Sequence, residues 1–237
     1  MITEHHVTVQ RTARYYTLGG SAEAAHRPGT LPATIRRIWF VLHGYGQLAQ
    51  YFIRRFDVVA DDETLIVAPE GLSRFYTDQQ YGKVGASWLT REDRDNEVID
   101  YVAYLDQVLA EVLGDRTLDD LDVTLMGFSQ GASTACRWVD KSRQLRADRL
   151  LLWAGYFPNG LSDVLSPETI IDLPVSYVYG EQDEYISQLS DIDLYLNRLK
   201  TDVPQLELVP FEGKHVVDRQ VLVKLIDRQQ IDLEDQD

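Results

Sequence analysis

Short hydrophobic runs recur along this chain of 237 residues and are separated by segments with helical periodicity. The runs are nearly continuous in apolar residues, which is typical of strands that are covered on both faces of a parallel sheet. They occupy residues 38–42, 65–68, 123–126, 150–153, 175–179 and 206–209. We therefore expect a sheet in which consecutive parallel strands are joined by helices.

The segments between these runs carry apolar residues at helical spacing. The clearest stripe ends at Gly114 and consists of Val98, Tyr101, Val102, Leu105, Val108, Leu109 and Val112. Similar spacing recurs at Leu189, Ile192, Leu196 and Leu199, and again at Val217, Val221, Leu222 and Leu225. Thr90 and Asp93 resemble a capping box, which predicts a helix start there.

The first part of the chain has a different pattern. Residues 7–18 alternate and are rich in β-formers, so they predict one or two antiparallel strands, and residues 19–32 read as a surface loop. Together these patterns predict an α/β fold: a mostly parallel sheet with antiparallel N-terminal strand or strands, right-handed crossovers and helices on both faces. In such a sheet a site is expected outside the carboxyl ends of the strands.

Composition is compatible with one globular α/β domain over residues 1–237, with about 231–237 as an acidic tail. The chain has no run of about 18 apolar residues, and its first ten residues lack the apolar core of a secretory signal. The single cysteine, Cys136, excludes an intramolecular disulfide and fits a cytoplasmic setting.

Net charge narrows the classes of partner. The formal charge of −15 repels nucleic acid and anionic membrane surfaces, so we expect neither nucleic-acid binding nor stable membrane association. The chain also lacks a His-Glu-x-x-His motif and clustered cysteines, so no metal site is expected.

The most specific chemical signal is the pentapeptide Gly127-Phe128-Ser129-Gln130-Gly131, between an apolar run and a segment of small residues. A serine flanked in this way at a strand-to-helix corner is typical of the nucleophile elbow of α/β-hydrolases. The glycines have a steric reason, since the strand and helix backbones nearly touch there. Ser129 is therefore the predicted nucleophile.

A serine nucleophile needs a base and an orienting acid, in the chain order serine, acid, histidine. His215 follows the last strand run and precedes the final helical pattern, as a base should in that order. Asp183 follows the preceding strand run and is the favoured acid. Glu181 and Glu184 in the same loop are competitors, whereas Asp163 and Asp172 precede the strand and fit less well.

The oxyanion hole is expected from two backbone N–H groups, those of Gln130 and Tyr45. Tyr45 comes just after His43 and Gly44, at the end of a strand run. His43 has a competing interpretation as the catalytic base, but it precedes the serine in sequence. A structural role for His43 in fixing the loop is therefore favoured.

With these motifs in order, the chain resembles the phospholipase/carboxylesterase family of α/β-hydrolases, which includes acyl-protein thioesterases. The resemblance extends from about residue 38 to about residue 225. It implies a compact fold, a triad of Ser129, His215 and Asp183, and no cofactor. Residues 155–172 are too few for a large lid, so a fairly open cleft is expected. Residues 45–48 and 71–88 depart from the thioesterase branch, so the resemblance does not extend to the substrate.

Aromatic residues after two strand runs are candidates for a substrate pocket, although they could equally anchor their loops to the domain. These residues are Phe75, Tyr76, Trp88, Tyr156 and Phe157. The leading hypothesis is a serine carboxylesterase that cleaves small-molecule esters through an acyl-enzyme. An acyl-thioesterase or lysophospholipase with the same triad is the alternative. A non-catalytic binding protein with a hydrolase fold is a third, less favoured hypothesis.

Overall fold

The strands and helices of the computed structural model follow the predicted alternation. The structure describes residues 1–20 and 29–234, with side chains as far as residue 226. The strands are β1 Tyr15–Gly19, β2 Arg37–Leu42, β3 Thr64–Pro69, β4 Ser73–Tyr76, β5 Val84–Ser87, β6 Asp122–Phe128, β7 Arg149–Trp153, β8 Val175–Gly180 and β9 Glu207–Phe211. The helices are α1 Ala49–Phe52, α2 Arg94–Leu113, α3 Gln130–Lys141, α4 Pro167–Ile170, α5 Glu184–Ser187, α6 Ile192–Asp202 and α7 Arg219–Glu234.

The main sheet has seven strands in the order β1-β3-β2-β6-β7-β8-β9. Strand β1 pairs antiparallel with β3, and the other neighbours pair in parallel. The carboxyl ends of β2, β6, β8 and β9 therefore lie along one edge. The loops after these four strands carry the predicted oxyanion loop, nucleophile, acid and base.

Alternation along the central strands divides the core between the two faces of the sheet. In β2, Phe40 and Leu42 belong to the cluster that packs under α2, α3 and α6, whereas Trp39 and Val41 face α1 and α7. Strand β7 repeats this division with Leu152 on one face and Trp153 on the other. Burial on both faces explains the continuous hydrophobicity of the strand runs, and this is the α/β-hydrolase architecture expected from the sequence.

Some predicted local features are wrong in detail. The capping box at Thr90 is not formed, because α2 begins after Asp93, whose φ is 48° in the left-handed region and whose side chain does not cap the helix. The Glu97 carboxylate instead accepts from the Thr90 N–H. Residues 71–88 are not only loop, since β4 and β5 form an antiparallel two-stranded ribbon.

The two ends of the chain differ in part from the predicted elements. Before Tyr15 the chain forms no strand, so β1 is the single N-terminal strand of the main sheet. Most of the predicted loop, residues 21–28 including His26, lies outside the described residues. Helix α7 continues to Glu234 and includes the first residues of the predicted acidic tail, and residues 235–237 are not described. Within the described chain, every helix is too short or too polar to span a bilayer.

Candidate active site

Ser129 occupies a strained corner between β6 and α3. Its backbone has φ 55° and ψ −117°, a combination that costs about 1–3 kcal/mol for a residue with a side chain. Two hydrogen bonds hold the corner: the Ser129 N–H donates to Trp153 O at 2.8 Å, and the Ala132 N–H donates to Ser129 O at 3.0 Å. Strain of this kind, supported by the neighbouring strand β7, is typical of a nucleophile elbow.

The glycines on either side of Ser129 are required by close backbone approach. A Cβ atom on Gly127 would lie 2.2 Å from Gly131 O, and one on Gly131 would lie 2.2 Å from Leu42 O. Both distances are far inside van der Waals contact. The close approach of strand and helix that was expected from the sequence is present, and no side chain larger than hydrogen fits at either position without backbone movement.

His215 and Asp183 form a tight pair beside this corner. The His215 Nδ1 lies 2.6 Å from Asp183 Oδ2, and the other oxygen, Asp183 Oδ1, accepts from the Tyr185 N–H at 2.8 Å. Asp183 is 0% exposed. Because a buried carboxylate accepts here, Nδ1 carries the proton and Nε2 is left as the basic atom.

The competing acids are placed elsewhere. Glu181 and Glu184 are exposed on the same loop, and in the described chain neither contacts His215. Asp163 lies within the β7–β8 connection and pairs with Arg94 at 3.6 Å. Of the acids considered from the sequence, Asp183 is the one that the structure brings to the histidine.

Ser129 and His215 are linked through their neighbours. The Phe128 ring packs 4.8 Å from the His215 ring, centroid to centroid. In the described chain the shortest contact of the His215 ring with a polar side chain is with Asp183, and no hydrogen bond joins it to Ser129 Oγ. Such nucleophile–base contacts are often loose without substrate and tighten in the reactive complex.

Two backbone N–H groups near Ser129 are candidates for the oxyanion hole. Within the described chain, the N–H groups of Tyr45 and Gln130 donate to no acceptor. Gln130 is the first residue of α3, where backbone N–H groups have no partner in the helix. A Cβ on Gly44 would lie 3.2 Å from Ser129 Cβ, so the turn that carries Tyr45 touches the nucleophile.

The Gln130 side chain anchors the start of α3 to the segment after β5. Its Nε2 donates to Leu89 O at 2.8 Å, and its Oε1 accepts from the Trp88 N–H at 3.0 Å. The oxyanion loop is tied to the same region, because the Gly46 N–H donates to Ala86 O at 2.9 Å. Both candidate donors are therefore held by one ribbon.

His43 is fully buried and both of its ring nitrogens are used. Nε2 accepts from the Gly71 N–H at 2.9 Å, and Nδ1 must then be the protonated atom, which donates to Gly44 O at 2.8 Å. Burial lowers the pKa of His43 to about 4. A neutral imidazole without a free basic nitrogen cannot serve as the general base, so this geometry favours the structural role over the competing catalytic one.

The predicted pocket residues divide into two groups. Trp88 and Phe157 are only 2% and 3% exposed and pack in the core, so in this structure they offer little surface to a substrate. Trp88 instead donates from Nε1 to His43 O at 2.8 Å. An aromatic residue in a loop has the same sequence signature whether it faces a cleft or the core.

The other predicted pocket residues reach the surface. Phe75 stacks on Tyr45 with centroids 5.0 Å apart, which puts it beside the oxyanion loop. Tyr76 is exposed on the same strand. Tyr156 is exposed and stacks on Tyr195 at 6.1 Å. These residues remain candidates for substrate contact.

Two residues near the site were not identified from the sequence. The Tyr185 ring packs edge-on against His215 at 4.7 Å and is 54% exposed. The sequence signal that could have identified Tyr185 was its position two residues after Asp183. Glu70 is buried after β3 and accepts from Arg14 Nε at 2.7 Å and Arg74 Nη1 at 3.3 Å. It directly precedes Gly71, which hydrogen-bonds His43, so it holds the loop behind the site.

One group of side chains in the described residues has metal-like spacing. It consists of Glu4, His6 and Asp93, all exposed, with ligand atoms within 4.8 Å of one another. His6 Nε2 lies 3.1 Å from Glu4 and 3.3 Å from Asp93, as a histidine bridging two surface carboxylates would. None of these residues belongs to the candidate active site.

Solved structures of esterases and thioesterases share this fold. The crystal structure of Zea mays acyl-protein thioesterase 2 superposes with a TM-score of 0.64 at 14% identity, covering 94% of this chain and 100% of that chain. Esterase PE8 gives a TM-score of 0.62 at 19% identity, covering 93% and 99%. A phospholipase/carboxylesterase from Dyadobacter fermentans gives 0.53 at 16% identity, covering 90% and 94%.

No curated protein shows a significant match in sequence. The sequence does match the family model described as Phospholipase/Carboxylesterase, over residues 35–230. The matched region begins just before β2 and ends within α7, so it includes all the loops of the candidate site. The chain belongs to the phospholipase/carboxylesterase family and is a hydrolase of esterase or thioesterase type.

Proposed function

We propose that this protein is a carboxylesterase that cleaves small-molecule carboxylic esters through an acyl-enzyme, with Ser129 as nucleophile, His215 as base and Asp183 as orienting acid. The observation that carries the proposal is the 2.6 Å contact of His215 with a fully buried Asp183, next to the strained corner at Ser129. Family membership supports the reaction class.

The chemistry follows from the positions of the protons. His215 Nε2 takes the proton from Ser129 Oγ while Oγ forms a bond to the carbonyl carbon of the ester. The electron pair displaced onto the carbonyl oxygen is met by the N–H groups of Tyr45 and Gln130. Asp183 stabilises the imidazolium that forms and keeps Nδ1 protonated throughout.

Collapse of this intermediate breaks the bond to the alcohol oxygen, which receives the proton from His215, and leaves an acyl group on Ser129. His215 then removes a proton from water, which attacks the acyl carbon. The carboxylic acid departs and the serine regains its proton. Every proton in this cycle is held or moved by His215, Ser129 or water.

The substrate is proposed to be small and reached through an open cleft. The connection between β7 and β8 carries only the short helix α4 and a 3₁₀ turn at Leu161–Asp163, so it supplies no large lid. Thioester or lysophospholipid hydrolysis is the alternative, since the same triad performs either reaction and a thioesterase shares the fold. The single buried cysteine supports the proposal of a cytoplasmic enzyme. The net charge of −15 supports the proposal that it has no nucleic-acid or stable membrane partners.

A substrate panel tests the proposed function. Purified protein is assayed with p-nitrophenyl butyrate, with butyryl thiocholine as thioester and with a lysophosphatidylcholine. We expect the highest kcat/KM on the oxygen ester and a loss of about 10³-fold or more in kcat in Ser129→Ala. Ser190→Ala, at an exposed serine, is the matched control. Preference for the thioester or the lysophospholipid would replace the proposed reaction by the alternative, and inactivity on all three would contradict catalysis.

A further inference from the structure

Arg137 is a buried cation with no acid to balance it. It lies on α3, is only 7% exposed, donates from Nη1 to Ser133 O at 3.4 Å, and lies against the Tyr101 hydroxyl. In the described part of the chain no carboxylate lies within 4.0 Å of its guanidinium. Burying a charged group without a partner is costly, and a lone guanidinium is rarely retained in that state without a function.

The guanidinium is not sealed from solvent. Its Nε and Nη2 atoms have no hydrogen-bond acceptor in the described chain, and neither atom is fully buried. They therefore reach solvent from an almost fully buried side chain. A planar guanidinium fork whose N–H donors reach solvent matches the geometry of a carboxylate.

A second unpaired polar atom lies beside the guanidinium. Tyr101 Oη, on α2, is buried and has no well-formed hydrogen bond in the described residues. Burial raises the pKa of Tyr101 to about 12, while the positive charges of Arg137 and Arg94 act against this rise. Both arginines thus lie near the hydroxyl. Arg94 is partly exposed and contacts Asp163 at 3.6 Å.

The position of Arg137 along α3 shows how its guanidinium lies relative to the candidate nucleophile, Ser129. Gln130, Ser133 and Arg137 are spaced to share one face of the helix. Because Arg137 reaches back to Ser133 O, its guanidinium lies about one helical turn, roughly 6 Å along the axis, from Ser129. A substrate acylating Ser129 could place a carboxylate there if only a few bonds separate the two groups.

We propose that Arg137 and Tyr101, with Arg94 at the rim, form a subsite for a carboxylate of the substrate, so that the enzyme prefers esters carrying a carboxylate a few bonds from the scissile carbonyl. The inference rests on the proposed esterase function and specifies its substrate class. The carboxylate can belong to the acyl part, as in a half-ester of a dicarboxylic acid, or to the alcohol part, as in an ester of a hydroxy acid.

Matched pairs of esters test the subsite and separate these two sources. Monomethyl glutarate is compared with dimethyl glutarate for the acyl side, and 4-acetoxybutanoate with its methyl ester for the alcohol side. We expect the wild-type kcat/KM to favour the charged member of one pair by about tenfold or more, as for a charge-assisted pair of hydrogen bonds. The favoured pair identifies the side of the ester that lies toward Arg137.

Substitution of Arg137 supplies the second arm. In Arg137→Met, kcat/KM for the charged ester of the favoured pair should fall, whereas kcat/KM for the neutral esters should stay the same. The charged-to-neutral ratio of that pair should therefore come close to one. Arg137→Lys keeps the charge without the fork and should retain part of the preference. Arg143→Met, at an exposed arginine, makes the same change in net charge and should leave the ratio unaltered.

The possible failures are distinguishable. Hydrolysis of the neutral esters without a preference for either charged member would overturn the subsite and leave the proposed function intact. Hydrolysis of none of the four esters would count against the proposed function. The charged-to-neutral ratios of the wild type test the subsite without any variant. The test therefore stands even if Arg137→Met does not fold. A charged-to-neutral ratio that persists in a folded Arg137→Met protein would also overturn it.

Discussion

Trp153 and Val216 are joined by a hydrogen bond that links the two halves of the candidate site. The Trp153 Nε1–H donates to Val216 O at 2.9 Å, while the Trp153 backbone oxygen accepts from the Ser129 N–H at 2.8 Å. One residue at the end of β7 therefore holds both the nucleophile corner and the chain directly after His215. We therefore expect the placement of His215 relative to Ser129 to depend on the Trp153 indole, which holds the chain after His215.

Trp153→Phe tests that dependence. The substitution keeps an aromatic ring in the core and removes the donor to Val216, so His215 should be held less firmly and kcat should fall by about tenfold or more, with a smaller change in KM. Trp39→Phe is the control, because Trp39 is buried in the same core cluster. Equal kcat losses in both variants, at equal stability, would show that Trp153 acts only through packing.

Asp183→Asn is expected to lower kcat by about 10⁴-fold, because an amide in this position stabilises the wrong tautomer of the base. Glu181→Gln and Glu184→Gln remove exposed carboxylates of the same loop and should retain near wild-type kcat. The assay is steady-state hydrolysis of p-nitrophenyl butyrate by all three variants. If either glutamine variant were the crippled one, the acid would have been misassigned.

The aromatic ring of Tyr185 should influence catalysis because it packs against His215. The ring covers one edge of His215, whereas the hydrogen bond to Asp183 comes from its backbone N–H. Tyr185→Phe should therefore keep kcat, and Tyr185→Ala should lower it several-fold by allowing the imidazole to rotate. A comparable loss in Tyr185→Phe would assign the effect to the hydroxyl group instead of the ring.

His43 predicts a pH dependence of stability. Its folded-state pKa of about 4 lies below the ordinary value of 6.5, so the unfolded chain binds the additional proton as pH falls. The stabilisation is complete above pH 6.5 and is lost progressively as pH falls toward 4. The contribution at pH 5 is about 2 kcal/mol less than at neutral pH.

Denaturant unfolding of the wild type and of His43→Asn at neutral pH and at pH 5 measures this contribution. The loss of unfolding free energy on acidification should be smaller in the variant, because the asparagine side chain does not titrate. The carboxylates titrate in both proteins, so their contributions to the loss of unfolding free energy cancel in the comparison. An equal loss in both proteins would show that His43 is protonated in the folded state or does not titrate in this range.

The parallel strands of the sheet and the corner at Ser129 could be anticipated because both leave strong signals. Strands buried on two faces are continuously apolar, and close backbone approach requires glycine at positions 127 and 131. The positions of Asp183 and His215 followed from chain order. Selection of Asp183 over its neighbours, however, needed the turn that buries it while Glu181 and Glu184 stay in solvent.

Other features depend on which way a side chain faces, and the sequence carries no signal for that. Phe75 lies on β4 and Trp88 directly follows β5, yet Trp88 enters the core and Phe75 packs beside Tyr45. Arg137 was unremarkable as one charged residue in a helix, and only the surrounding α2 and α3 contacts show that it is buried. Such pairings form between segments that are distant in sequence, so local patterns do not encode them.

Covalent labelling decides whether Ser129 is an activated nucleophile. The wild type, Ser129→Ala and the control Ser190→Ala are treated with a fluorophosphonate probe, and the modified peptide is mapped by mass spectrometry. The account predicts stoichiometric labelling of the wild type and of Ser190→Ala on Ser129, and none of a folded Ser129→Ala protein. Labelling of Ser129→Ala at another residue, or no labelling of the wild type, would contradict it.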